Sequence, residues 1–264
     1  MEHHKGCSCK TNKNHKVGFL MIILEAFLFR KYTEIVFGFS TKFGGDRRGP
    51  FFFNMSNSVG DEREIVDENR RLFYEGLGIE KDNIALQRQV HGDGVLIVGE
   101  GGNFGESDAL ITDRKNVGLA ISTADCTAIF LYDKKNKVIA GVHSGWRSTE
   151  KKILLKTLNK MQKEFNTAPD DLIAYIAPSI AQRNYEVGQD TAVFFDGKYI
   201  MPKGEKFLLN VSGINYDILL DYGVPENNIQ YSSLCSYEQK QLFHSYRRDG
   251  LHSGRALGII AMKG

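Results

Sequence analysis

The stretch from Ala120 to Thr149 holds a thiol, an imidazole and a guanidinium, each placed where a strand runs into a loop. Such junctions are where a rigid scaffold usually presents reactive groups. Cys126 follows a short apolar run and Asp125. His143 closes a second run, and the loop Ser144-Gly145-Trp146-Arg147 comes straight after it. A third soft donor, His91, ends an alternating run further upstream. Cys126 with His91 and His143 makes three protein ligands for zinc with one position left open, the composition of a catalytic rather than a structural site. The same Cys126 and His143 also make a nucleophile and base for a metal-free cysteine hydrolase or deamidase, which leaves His91 without a role. The three residues are far apart in the chain, so no compact ligand spacing decides between these chemistries.

Neighbouring residues offer supporting roles. Asp125 can orient a ligand histidine from behind, or cap a turn. Trp146, the single tryptophan, can stack on a flat heterocycle or pack on its own loop. Arg147, Arg247, Arg248 and Arg255 stand in glycine-containing loops, where planar guanidinium groups can grip a phosphate through two oxygens. Ordinary surface charge is the expectation for at least one of Arg247 and Arg248. Ser148 or Thr149 is a candidate cap for a helix over 150–165, with Ile153, Leu154, Leu158, Met161 and Phe165 at helical spacing. That cap puts Arg147 beside a helix N-terminus, which favours anions.

These groups need strands behind them, and the chain supplies many. Apolar, β-branched runs bounded by turn residues predict strands at Glu34–Phe39, Ile84–Val90, Val95–Val98, Asp108–Thr112, Val117–Ile121, Ala128–Tyr132, Val138–Val142, Leu172–Ala177 and Ala256–Met262. The turn His91-Gly92-Asp93-Gly94 reads as the tip of a hairpin, and the glycine-rich 99–107 as a flexible connection. GEGGNFGES lacks the Lys-Ser/Thr and following helix of a phosphate loop. Helices are predicted at Asp61–Leu77, closed by Gly78, and at Ser212–Tyr222, closed by Gly223. Many consecutive strands with isolated helices predict an α+β fold with a mixed sheet or sandwich.

The chain of 264 residues is long enough for one sizeable core. Hydrophobic content of 42 % and charged content of 25 % are those of a globular protein, and a net charge of +2 gives no reason to expect nucleic acid as a partner. Residues 1–20 are expected to form a disordered extension, and residues 21–264 a single domain starting near Met21. His3, His4, Cys7 and Cys9 in that extension could chelate a metal, but a cluster in a terminal tail is weak evidence for a specific site. The apolar run after it is too short to span a membrane, and no small-residue cleavage site follows it. Cysteines that are few and scattered point to a reducing cytoplasm.

Seven segments carry a resemblance: GFSTKFGG, QVHGDGV, SDALITD, ADCTAIFLYD, GVHSGWRST, APSIAQRNYEVG and SYRRDGLHSGR, in that order. Together they resemble the YfiH-like laccase-domain family, long labelled polyphenol oxidases. The resemblance runs from about Phe37 to the C-terminus. It implies a four-layer α/β/β/α arrangement with a mixed β-sandwich core. It also implies zinc-dependent purine nucleoside phosphorylase activity on adenosine, inosine, guanosine and methylthioadenosine, with adenosine deaminase activity. By the same resemblance the zinc ligands are His91, Cys126 and His143. Arg147 and Arg255 are the candidates for holding phosphate. Copper-dependent phenol oxidation is the older alternative. It fits poorly, because a multicopper enzyme needs a second histidine-rich cluster and three of the seven histidines, His3, His4 and His15, lie in the extension. Family members usually carry HAGWRG, GPSIG and TGR where this chain has Ser144 and Ser148, Ala177 and Ala181, and Ser253. These changes bear on substrate preference and leave the three ligands untouched.

Overall fold

The computed structural model describes residues 21–45 and 49–264. The expected extension over residues 1–20, with its His3, His4, Cys7 and Cys9 cluster, lies outside the described residues. Two six-stranded sheets dominate. The first runs in the order β1 (Ile23–Leu24), β2 (Ile35–Ser40), β15 (Ala256–Met262), β7 (Gly118–Thr123), β3 (Ile84–Arg88), β5 (Gly102–Glu106). The second runs β14 (Ile229–Tyr231), β10 (Leu172–Ile176), β8 (Thr127–Asp133), β9 (Val138–Ser144), β6 (Ala109–Thr112), β4 (Val95–Ile97). Both are mixed. β3 is parallel to β7 and β5, β6 to β4, and β10 to β14, while the remaining pairs are antiparallel. A small antiparallel sheet of β11 (Glu186–Val187), β13 (Lys206–Leu209) and β12 (Ile200–Lys203) stands apart.

Strand alternation builds the layers. In β8, Ala128, Phe130 and Tyr132 point into the core between the sheets, with Phe37, Leu119 and Ile260 of the first sheet. Ile129 and Leu131 point the other way, onto Leu154, Leu158 and Met161. A strand buried on both faces reads as a continuous apolar run, which is why this one is legible as a strand but not as alternating. Helix α1 (Arg63–Leu77) covers the outer face of the first sheet, with Phe73 and Tyr74 on Ile84, Ala120 and Leu257. Helix α2 (Trp146–Glu150) is short; α3 (Ile153–Phe165) and, past a short α4 (Gln189–Ala192), α5 (Val211–Asp221) cover the outer face of the second sheet. One last turn, α6 (Tyr246–Asp249), precedes β15. The result is a single-domain, four-layer α+β sandwich of the kind the resemblance implied.

Three local expectations are corrected. β3 and β4 are not a hairpin: they belong to different sheets, and the chain crosses from one to the other at His91. The glycine-rich 99–107 is not a loose connection, because Gly102–Glu106 forms β5 at the sheet edge, parallel to β3. Gly101 there lies so near the Asp82 carbonyl that a Cβ would sit 2.1 Å from its oxygen, which requires glycine. The helix predicted over 150–165 is broken in two at Lys152, whose φ is +60°. Its first part is capped by Gly145, and neither Ser148 nor Thr149 serves as the N-cap. The Thr149 hydroxyl instead donates to the Gly145 carbonyl at 2.8 Å.

Candidate metal centre

Two crossings between the sheets make the site. β3 and β7 are parallel neighbours, so they leave the first sheet at the same edge. Each then turns into the second sheet, β3 through His91 and β7 through Asp125 and Cys126. Both turns contain a left-handed residue that is not glycine, His91 at φ +56° and Asp125 at φ +88°, an uncommon backbone state that tertiary contacts must hold. The Gln89 side chain ties the crossings together. Its amide donates to the Ser122 carbonyl at 2.7 Å and its oxygen accepts from the Ser122 N–H at 2.8 Å, in place of a ladder rung. In the second sheet, β9 ends where β6 and β8 begin, with His143 opposite Ala128. His143 therefore arrives at the same edge from the opposite direction.

The donor atoms of His91, Cys126 and His143 all lie within 4.8 Å of one another. Cys126 Sγ is 3.8 Å from His91 Nε2, and the two imidazole rings stand edge to face with centroids 4.9 Å apart. His143 is buried, Cys126 half-buried and His91 exposed, so the triad has one open side. Gly145 permits this approach. A Cβ there would lie 2.9 Å from His91 Cδ2 and 3.1 Å from Cys126 Sγ.

Asp108 orients both histidines. Its fully buried carboxylate accepts the His143 Nδ1–H at 2.8 Å, which leaves Nε2 for the thiol side. The same carboxylate accepts the backbone N–H groups of Val90, His91 and Gly92 at 3.2, 3.0 and 2.7 Å, holding the left-handed turn. Burial alone would raise the Asp108 pKa, but His143 and these amides outweigh it and hold the carboxyl below its ordinary value. Burial likewise opposes charge on Cys126 and His143. Their mutual attraction wins, so the thiol is lowered and the imidazole raised, with His91 adding to the first effect and Asp108 to the second.

Asp125 does not orient a ligand histidine. Its carboxylate accepts from Ser236 Oγ at 2.6 Å, Ser245 Oγ at 3.0 Å and the Arg247 N–H at 2.7 Å, joining the cysteine turn to α6 and the loop before it. The orienting role belongs to Asp108, which no local signal marks, since it lies 17 residues from the turn it holds. Trp146 packs on its surroundings, stacked on Phe194 at 6.5 Å. Arg147 is exposed within the first turn of α2, with its Cζ 4.3 Å from the Trp146 ring centroid. Arg255 is half-buried, and its Nη1 donates to the carbonyls of Ser253 and Gly254. Burial lowers its pKa, against the pull of Cys126 and Asp125. Arg248 is not loose surface charge, since its guanidinium donates to the carbonyls of Ser236, Tyr237 and Phe243 and to Asp249.

The donor chemistry suits a divalent soft metal such as zinc: two imidazoles, a lowered thiol, a histidine fixed by a carboxylate and one open side. Known proteins are similar to this chain over most of its length. A purine nucleoside phosphorylase of Bacteroides thetaiotaomicron is 34 % identical over 252 residues, covering 88 % of this chain and 93 % of that protein. Adenosine deaminase RL5, from an unknown prokaryotic organism, is 31 % identical over 263 residues, covering 92 % and 100 %. The crystal structure of YlmD from Geobacillus stearothermophilus superposes with a TM-score of 0.85 at 28 % identity, over 96 % of this chain and 99 % of that one. The family model described as multi-copper polyphenol oxidoreductase laccase matches residues 36–263. The chain therefore belongs to that laccase-domain family, the family of YfiH and YlmD.

Proposed function

We propose that the protein is a zinc-dependent purine nucleoside phosphorylase that also deaminates adenosine, working in a reducing cytoplasm. Its substrates are adenosine, inosine, guanosine and methylthioadenosine, with phosphate. The observation that carries this is the clustered donor set of His91, Cys126 and His143, within 4.8 Å and open on one side. The activities named for these relatives favour nucleosides as substrates. When bound, the metal supplies a Lewis acid with one coordination position free for substrate. Asp108 keeps His143 in the tautomer that offers Nε2, and Gly145 keeps the site clear of side chain. In phosphorolysis a phosphate oxygen bonds to C1′ of the ribose as the bond from C1′ to the purine nitrogen breaks. The electron pair leaves with the base, which takes the proton that hydrogen phosphate gives up. Arg147 and Arg255 offset the phosphate charge. In deamination water replaces the amino group at C6 and ammonia leaves, with no need of phosphate.

Among the described residues one group of metal donors is found, whereas multicopper phenol oxidation needs a further cluster. The lowered thiol beside His143 also suits a cysteine hydrolase, but that chemistry gives no part to His91. Adenosine incubated with the zinc-loaded protein should yield adenine and ribose 1-phosphate only when phosphate is present, and inosine in either case. Protein purified without added metal should carry about one zinc per chain. Cys126→Ala should lose the zinc and both activities. Full turnover in zinc-free protein would favour the hydrolase, and absence of both adenine and inosine would remove the nucleoside assignment.

A further inference from the structure

Arg247, one of the four loop arginines that the sequence offers for gripping phosphate, has the same setting as Arg147. Its Cζ lies 5.1 Å from the Tyr185 ring centroid, as that of Arg147 lies 4.3 Å from Trp146. Neither guanidinium has a hydrogen bond or ion pair among the described residues, and Arg247 feels Glu186 only at longer range. The acid beside Tyr185 in the chain, Glu186, is held by Lys203 at 3.0 Å. The two supporting rings belong to one apolar cluster with Val187, Leu209 and Val211, so both cations ride on a single patch. A guanidinium lying on an aromatic face keeps its edge N–H groups free, and those edges are what match the oxygens of a planar or tetrahedral anion.

The patch adjoins the triad from two sides. Arg147 stands two residues after Gly145, where an added Cβ would press on His91 and Cys126. The Arg247 N–H is bound by Asp125, the residue before Cys126. Tyr185 feels the charges of Cys126, Arg247, Asp125 and Arg147 together. Two cations so placed, neither hydrogen-bonded to an acid, repel each other less when an anion lies between them.

We propose that Arg147 and Arg247 are the two jaws of a dianion site beside the triad, carried on Trp146 and Tyr185, and that its occupant is inorganic phosphate. The proposal rests on the phosphorylase assignment for the identity of that occupant. Asp125 is a positioning residue for it, because one carboxylate fixes both the Cys126 turn and the Arg247 backbone. Arg255, with Nη1 engaged on two carbonyls, lies deeper and adds charge without forming a jaw.

Phosphate binding to the full chain is measured by titration calorimetry, with zinc loaded and after chelation, and the Michaelis constants for phosphate and adenosine are measured alongside. Arg147→Ala and Arg247→Ala should each weaken phosphate binding about tenfold or more, the loss of a charge-assisted contact. Each should raise the phosphate KM equally while sparing zinc content, the adenosine KM and phosphate-independent inosine formation. Arg247→Lys should recover part of the loss, and the exposed Arg114→Ala should change nothing. Wild-type phosphate affinity in Arg247→Ala overturns the site, even if adenosine is still cleaved. Arginine-dependent phosphate binding without any nucleoside turnover keeps the site and discards the phosphorylase assignment instead. Adenosine 5′-monophosphate is the second ligand arm. Tight, Arg247-dependent binding of that nucleotide with none of inorganic phosphate overturns the choice of occupant.

Discussion

At the scale of single residues, Asp108 and Gly145 decide whether three donors become one site. Asp108 sets the His143 tautomer and the His91 turn with the same two oxygens. Asp108→Asn preserves volume but puts an NH₂ where an acceptor is required. Zinc affinity should fall about 10- to 100-fold, as for other groups that orient a ligand histidine. Competition against a chromogenic chelator reads this directly, and an unchanged affinity would show that the carboxylate only stabilises the loop. Gly145→Ala acts by size alone, since the site lies in ordinary backbone space at φ −77°. Its Cβ would push on His91 and Cys126, so bound zinc should drop while the circular dichroism spectrum and unfolding midpoint stay close to wild type. A variant that retains stoichiometric zinc would show that the triad can widen. Ser148 has a buried hydroxyl with no hydrogen-bond partner among the described residues.

At the scale of elements, the site depends on two adjacent parallel strands leaving the same sheet at one edge. Gln89 joins those exits by two hydrogen bonds to Ser122. Gln89→Leu keeps the bulk but strands the Ser122 N–H and carbonyl, which should cost about 1–3 kcal/mol of stability. Equilibrium unfolding in urea measures that loss, and a parallel weakening of zinc binding is expected because His91 lies just beyond the tie. Loss of stability with unaltered zinc affinity would separate the tie from the site. The strands themselves were legible from their apolar runs, and β15 (Ala256–Met262) has the predicted bounds. Their partners were not. Residues His91 to Gly94 have the composition of a hairpin turn, yet they carry the chain between sheets, a choice made by Asp108 from outside the segment.

At the scale of the whole molecule, the two sheets are bound through their shared core and through polar ties, one of them at Glu34. Glu34, just before β2 in the first sheet, accepts the Tyr132 hydroxyl of the second sheet at 2.6 Å and the Lys137 ammonium at 2.8 Å. The Lys137 and Tyr132 hydrogen bonds hold its carboxyl down at about 2. A carboxylate with a depressed folded pKa stabilises the fold fully above its unfolded pKa, about 4.3, and that contribution fades as pH falls through the folded value. Glu34→Gln should therefore be less stable than wild type near pH 7, with the difference shrinking below about pH 4. Unfolding midpoints at pH 7 and pH 3 test the sign. A constant difference across that range would assign the tie to packing rather than to charge.

What the sequence determined by itself is the list of reactive groups and the kind of fold. Thiol, imidazoles and strand-forming runs are local properties, written in residue types and their periodicity, and the ordered motifs pointed to a four-layer sandwich. The tertiary structure decided the juxtapositions. That Asp108 rather than Asp125 orients the histidines, that 99–107 forms an edge strand, and that Arg247 shares the setting of Arg147 all depend on contacts between distant segments. Hydrogen bonds, ion pairs and ring contacts form wherever the folded backbone brings groups within a few ångströms, and sequence distance carries no record of that approach.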